Sequence, residues 1–264
     1  MSNKRNRNFL IPTILFSWAL IYCPTINAIE FPSSPKSSEP RSTAAGGRRG
    51  PCISNSYPIV QALTPTNDNY IKTTSTNPPL FVYLPRTDAK LAHFVLTDEN
   101  EQVITIQEIN INPIESTNND CSGDYVAKIN LPQNINLQIN QKYSWELFLF
   151  DERLTKDYFF NSRKYSNFDE YKEVLTSNNY QNVRKFTNIR NNTKGTLERV
   201  TLASDIAGQI SQENMAQQAE IYAQEQIWAE TLSLVVALRQ SRPEMWQELL
   251  TSVGLEKYAE KKFQ

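Results

Sequence analysis

The spacing of apolar and polar residues changes along the chain, and its clearest pattern lies towards the C-terminal end. From Met215 onward, apolar residues recur every three to four positions, the spacing of one face of an α-helix. The same spacing resumes at Trp228 after a short polar break. A third run opens at Pro243, a residue suited to the first turn of a helix. We therefore predict three helices from about Ser204 onward.

Residues beside these runs predict how the helices begin and end. Ser211 lies just upstream of Met215, and its hydroxyl can accept hydrogen bonds from the free amides of a first turn. Gly254 follows the last run and can adopt the left-handed conformation that ends a helix. Leu255 can then fold back on the last turn.

The first two helical runs resemble a tetratricopeptide hairpin. Ala219 lies where two such helices approach closely, and Tyr222 fills the groove between them. Thr231 and Gln226 depart from the pattern, and one unit is fewer than the three that a free-standing solenoid needs. An ordinary helical hairpin packed on a neighbouring domain explains the same stripes. The candidate packing or partner surface consists of Tyr222, Trp228, Val235, Leu238 and Trp246.

Between residues 51 and 150 the period of the pattern changes to two, the period of a β-strand. Leu80, Val82 and Leu84 alternate with other residues in a segment bounded by prolines. Further alternation follows over residues 125–131 and 143–149. Because such short strands follow one another without helical runs between them, we predict an α+β protein. It consists of an antiparallel, immunoglobulin-like β-sandwich followed by a small tetratricopeptide-like helical segment.

The first 28 residues are typical of a secretory signal. Lys4, Arg5 and Arg7 precede an apolar run, and Ala28 ends an acceptable cleavage site. We predict cleavage after Ala28 and export to the periplasm or the extracellular space. After cleavage no stable membrane span is expected. An uncleaved anchor helix is the alternative.

Composition divides the remaining chain into three parts. Residues 29–50 are rich in Pro, Ser, Gly and Arg, which predicts a disordered linker. Residues 51–203 form the predicted sandwich, with an Asn- and Tyr-rich excursion at about 151–195. Residues 204–264 form the helical C-terminal segment. With 264 residues, 39% of them hydrophobic, the chain can bury a substantial core.

Cysteine content is compatible with one disulfide. Cys23 leaves with the predicted signal, so Cys52 and Cys121 remain in an oxidising compartment. A bridge between them would close a loop of about 70 residues and contribute about 4 kcal/mol in the chain-entropy model. Two separate thiols are the alternative, since nothing in the sequence brings them together.

Several classes of chemistry are absent from the sequence. With a net charge of −1, the protein has no overall positive charge that would attract nucleic acid or an anionic membrane. His93 is the single histidine, which excludes sites built on two or more histidines, such as the usual catalytic zinc sites. It lies on a predicted strand and is expected to be a partly buried structural residue. Neither a nucleophile elbow nor a phosphate-binding glycine loop occurs, and we predict no cofactor and no metal site.

A series of short motifs runs in order along the mature chain. They comprise Gly47–Cys52, Ala62-Leu63, Pro79 with Phe81, Tyr83 and Pro85, Phe94–Glu99, Tyr143-Ser144-Trp145, Glu198-Arg199-Val200, Tyr222-Ala223, Ile227-Trp228, Leu238-Arg239, Pro243, Trp246 and Ser252–Leu255. Together they resemble the cyanobacterial domain-of-unknown-function family 928. The resemblance implies an exported protein with a β-rich body and a helical tail, and it brings no known activity. A cysteine usual in that family near position 150 is replaced here by Phe150.

These observations favour a non-enzymatic binding or scaffold module of the cell envelope, with a protein partner at the C-terminal helices. The predicted sandwich, the repeat-like tail and the missing nucleophile–base motif support this hypothesis. The alternative is a hydrolase that acts on envelope polymers through a carboxylate pair, whose meeting depends on the fold.

Overall fold

The computed structural model describes residues 28–32, 60–85, 91–111, 123–150 and 192–264. Within these ranges nine strands form two sheets and four α-helices lie between the eighth and ninth strands, so the predicted α+β class is confirmed. The strands are β1 (Gln61–Ala62), β2 (Tyr70–Thr73), β3 (Pro79–Leu84), β4 (Leu91–Thr97), β5 (Val103–Asn110), β6 (Tyr125–Asn130), β7 (Lys142–Phe150), β8 (Asn192–Arg199) and β9 (Lys262–Phe263). Cys52 and Cys121, the candidate disulfide, lie outside the described residues.

Both sheets are mixed. The four-stranded sheet has the order β1-β3-β6-β9, in which β6 and β9 are parallel. The five-stranded sheet has the order β2-β8-β7-β4-β5, in which β2 and β8 are parallel. The prediction of an antiparallel, immunoglobulin-like sandwich is therefore wrong. Period-two spacing identifies strands but carries no information about their direction, and parallel neighbours are strands joined by long connections.

Strand β3 is buried on both faces because the tail covers the face that the sheets leave open. Leu80, Val82 and Leu84 are buried, as their alternation suggests. Phe81 and Tyr83, on the other face, contact aromatic residues from the end of the chain. Their rings lie 5.8 Å from the ring of Phe263 and 4.6 Å from that of Tyr258, respectively.

The tail, residues 204–264, contains one more helix than predicted. Its helices are α1 (Ser204–Ile210), α2 (Met215–Gln224), α3 (Trp228–Leu238) and α4 (Pro243–Ser252), followed by a 3₁₀-helix at Glu256–Tyr258. Helix α1 has only seven residues and two large apolar ones, Ile206 and Ile210, which is too short a run for helical periodicity to be recognised. The break before Trp228 and the start at Pro243 are confirmed.

The helix ends correct one capping prediction and confirm another. Asn214, not Ser211, caps α2: its Oδ1 accepts from the amides of Ala216 and Gln217 at 3.0 and 3.2 Å. Ser211 instead ends α1. Gly254 adopts a left-handed φ of 71°, and the amide of Leu255 donates to the carbonyl of Leu250 at 2.7 Å. This is the bond of a glycine C-cap.

Both sheets and the tail contribute to one hydrophobic core. The tail is therefore part of the same folded body as the sheets. Helices α2 and α3 form a hairpin within it, and the tetratricopeptide likeness of that hairpin stays a prediction. In the turn, Gln226 adopts a left-handed φ of 58°.

The first described residues also belong to this body. Ile29 is 2% exposed and Phe31 5% exposed, whereas Ala28, Glu30 and Pro32 are exposed. The predicted linker over residues 29–50 thus begins with residues packed in the core. Its part from residue 33 onward lies outside the described residues.

Candidate functional site: the joint between the tail and the sheets

We define the joint as the contact of the tail, residues 204–264, with the sheets and with the N-terminal segment, residues 28–32. Trp228, at the start of α3, is 1% exposed. Its Nε1 donates to the carbonyl oxygen of Leu63 at 2.8 Å, just after β1. The ring of Phe31 meets the Trp228 ring edge-on at 4.9 Å between centroids. One indole therefore connects a helix, a strand end and the N-terminal segment.

A carboxylate two residues further on fixes the same helix to the turn after β2. Oε1 of Glu230 accepts from the Thr73 hydroxyl at 2.8 Å, from the Thr74 amide at 2.8 Å and from its hydroxyl at 2.9 Å, and from the Ser75 amide at 2.9 Å. Hydrogen bonds to an ionised oxygen are stronger than neutral ones. Oε2 of Glu230 is buried without a hydrogen-bond partner among the described residues. Burial, and then the charge of Glu230, raise the pKa of the nearby Tyr222 phenol.

The last residues of the chain are held by the other end of the tail. Nε1 of Trp246 donates to the carbonyl of Ala259 at 2.8 Å. The guanidinium of Arg239 donates to the carbonyl of Lys261 at 2.7 Å and lies 5.3 Å from the centre of the Trp246 ring. These bonds lead the chain into β9, which pairs with β6.

Asp124, just before β6, receives two further bonds. Its Oδ2 accepts from the Tyr83 hydroxyl at 2.8 Å and lies 2.7 Å from Nζ of Lys261. Burial raises the pKa of the Tyr83 phenol, and the hydrogen bond to Asp124 raises it further. Beside this pair the Tyr258 hydroxyl donates to Oε1 of Gln61 at 2.7 Å. Polar contacts therefore connect the tail to the sheets both at α3 and in the residues that follow α4.

The N-terminal segment lies in an extended form against α4. Its buried side chains alternate with exposed ones, as in a strand. The amide of Ile29 donates to Oε2 of Glu248 at 3.2 Å, and the amide of Phe31 donates to the Ser252 hydroxyl at 3.1 Å. The tail therefore holds an extended segment through alternate apolar anchors and through side-chain acceptors for its backbone.

Three of the five residues of the candidate packing or partner surface are buried. Trp228, Val235 and Trp246 are at most 3% exposed, while Tyr222 and Leu238 are half-buried. The three buried side chains hold the tail to itself and to the sheets, so a partner cannot reach them in this fold. Sequence reasoning missed Glu230 and Glu248. Each is a charged residue beside buried tryptophans, and that proximity was the available signal.

His93 is fully buried, more so than predicted. It lies on β4 with its ring 5.7 Å from that of Phe148 and its Nε2 3.8 Å from Oε1 of Glu108. Across the described ranges, three or more His, Cys, Asp or Glu side chains do not cluster as a metal site would require. Nor is any helix in those ranges long and apolar enough to cross a membrane.

Fold and site together define an α+β protein in which a helical tail is bonded to two mixed sheets. The model of the family described as Domain of Unknown Function (DUF928) matches residues 44–162 and 173–263. The match covers most of the chain, which therefore belongs to this family. It is interrupted at residues 163–172, inside the predicted excursion at about 151–195. No curated protein and no solved structure matches the chain.

Proposed function

We propose that the protein is an exported, non-enzymatic binding or scaffold module of the cell envelope. The observation that carries this proposal is the use of the carboxylates at the joint. Oε1 of Glu230 accepts four hydrogen bonds, and Oδ2 of Asp124 is held by a phenol and an ammonium group. Groups fixed in this way join elements of the fold into a rigid frame.

A hydrolase makes a different demand on its carboxylates. One must give a proton to the leaving group and the other must activate water or attack the substrate, so both must face a cleft. Glu230 and Asp124 instead face backbone amides, hydroxyls and Lys261. The hydrolase remains the competing hypothesis, and an activity assay distinguishes it from the scaffold.

We place the partner surface at the beginning of α2. Met215 is 42% exposed, one of the most exposed large apolar side chains in the described part of the chain. Tyr222 lies seven residues further along, on the same face of the helix, and is half-buried. A protein partner can reach this face without disturbing the buried contacts between the tail and the sheets.

Site-specific photocrosslinking tests this placement. Benzoylphenylalanine replaces Met215 in one variant and Ile104 on β5, which is 41% exposed, in a matched control. Each protein is exported and irradiated in intact envelopes. We expect one discrete protein adduct from position 215, removed by an excess of unlabelled protein, and none from position 104. Equal labelling at both positions would contradict a specific partner at α2.

The competing hydrolase is tested on the same preparations. The purified protein is incubated with isolated envelope polymers, and soluble fragments are measured over time. We expect no release above that of a heat-denatured sample. Release that a single carboxylate-to-amide substitution abolishes would favour the hydrolase.

A further inference from the structure

We propose that Glu248 binds the α-ammonium group that cleavage after Ala28 creates at Ile29. This inference rests on the export part of the proposed function. In this role, one carboxylate of α4 recognises the mature N-terminus. The carboxylate and the backbone nitrogen are already in contact, with Oε2 of Glu248 3.2 Å from the nitrogen of Ile29.

The residue after the predicted cleavage site is anchored in the core. Ala28 is exposed, and Ile29 is the first described residue to enter the core, at 2% exposure. Phe31 follows at 5%, with its ring against Trp228. The fold thus holds the residue after the predicted cleavage point and leaves the residue before it in solvent. The signal pattern in the sequence predicts the cleavage point, and the burial of Ile29 holds the new N-terminus beside Glu248 of α4.

Cleavage changes the chemistry of this contact. Hydrolysis adds water across the Ala28–Ile29 bond, so that Ala28 gains a carboxylate and the Ile29 nitrogen becomes an ammonium group at neutral pH. An amide with one N–H and no charge is replaced by a cation with three N–H donors. A bond between that cation and a carboxylate is shorter and roughly twice as strong as its neutral counterpart. Glu248 is partly buried, so salt screens its attraction to the ammonium group less than it would screen a fully exposed pair.

A single additional residue at the N-terminus moves the ammonium group away from Glu248. A chain that begins at Ala28 carries its ammonium group one residue further out, about 3.8 Å along the backbone. It retains Ile29, Phe31 and their apolar contacts, so it folds in the same way. It offers Glu248 an amide again, and it is therefore a matched control for the charge alone.

A double-mutant cycle on chains with defined N-termini tests the proposal. Four proteins are prepared by removal of a cleavable fusion partner: chains that begin at Ile29 or at Ala28, each with and without Glu248→Gln. Urea unfolding gives their equilibrium constants. We expect Glu248→Gln to raise the unfolding constant about tenfold more in the Ile29 chain than in the Ala28 chain, as for hydrogen bonds to charged groups. Glu260→Gln, at an exposed carboxylate, should act equally in both chains.

Chemical protection of the amine provides a readout that a purely structural role of Glu248 would not change. In the folded Ile29 chain the α-amine should react with an acylating reagent several-fold more slowly than in the Ala28 chain, and Glu248→Gln should remove the difference. Equal effects of Glu248→Gln in the two chains, or equal acylation rates, would overturn the proposal. N-terminal sequencing of the exported protein tests cleavage separately: Ile29 as first residue supports export and processing, and a chain beginning at Met1 contradicts them.

Discussion

The indole nitrogen of Trp228 and the carbonyl oxygen of Leu63 are joined by a buried hydrogen bond of 2.8 Å across 165 residues of sequence. The bond connects the first turn of α3 with the end of β1. It gives a buried backbone carbonyl a donor and joins the helix to the end of the strand. A helical tail of four short helices has too little core to fold alone, so contacts of this kind determine its stability.

Substitution of Trp228 should separate the contribution of the ring from that of the hydrogen bond. Trp228→Ala should lower the free energy of unfolding by about 3–5 kcal/mol because it leaves a cavity in the core. Trp228→Phe keeps an aromatic ring and leaves the Leu63 carbonyl buried without a donor, at a cost of about 1–3 kcal/mol. Urea unfolding measures both. Met215→Ala, at an exposed position, should change stability by less than about 0.5 kcal/mol.

Glu230→Ala should be among the most destabilising changes at a polar residue of the tail. It removes one acceptor from three residues at once, since Thr73, Thr74 and Ser75 all donate to Oε1. Each buried donor left unsatisfied costs about 1–3 kcal/mol before water enters. Glu230→Gln retains an acceptor oxygen and should cost less. Glu225→Ala, at an exposed carboxylate near the end of α2, is the control, and an equal loss in the two alanine variants would refute the anchoring role.

Replacement of glycine by alanine should have opposite effects on stability at two positions. A Cβ atom at Gly195 on β8 would lie 2.6 Å from Cβ of Asn69 and 2.8 Å from Cζ2 of Trp145. Gly195→Ala should therefore destabilise the protein by about 1–3 kcal/mol. A Cβ atom at Gly208 in α1 would meet nothing within 4 Å, so Gly208→Ala should stabilise it by about 0.5–1 kcal/mol. Thermal melting of both variants checks the signs, and a stabilising shift from Gly195→Ala would contradict the packing around β8.

Alkaline pH should destabilise the protein through its buried tyrosines. Burial raises the pKa of Tyr83 above its ordinary value, and the hydrogen bond to Asp124 adds to this effect. In the unfolded chain the phenol loses its proton near pH 10, whereas the folded protein retains it. The unfolded state then binds fewer protons, so the free energy of unfolding falls as the pH rises above about 10. Tyr83→Phe should flatten this fall, as measured by urea unfolding at pH 8 to 11, and an unchanged slope would contradict it.

The sequence predicted those parts of the fold that depend on local spacing. Helices α2, α3 and α4 were readable because their apolar residues form a stripe, and Gly254 was readable because a helix end needs a left-handed residue. Strand direction was not readable, since alternation is the same in parallel and antiparallel strands. Helix α1 was missed because its seven residues include only two large apolar ones, too few to form a clear stripe, and Asn214 was missed in favour of Ser211.

The polar contacts of the joint could not be predicted, for a different reason. The nearness of Glu230 and Glu248 to tryptophans was their one local signal, and it does not identify their partners, which lie 155 or more residues away in the sequence. Their roles depend on the tertiary fold. The burial of Ile29 and Phe31 was missed for another reason: the polar composition of residues 33–50 predicted a disordered linker for the whole stretch.

Native-state hydrogen exchange tests most directly whether the tail and the sheets form one body through the joint. The amides of Leu232 in α3 and Val82 in β3 belong to residues that are each 1% exposed. If the joint couples these elements, both amides should exchange through the same opening, with a free energy equal to that of global unfolding. Exchange at Leu232 through an opening several kcal/mol lower, with Val82 still protected, would mean that the tail unfolds independently of the sheets.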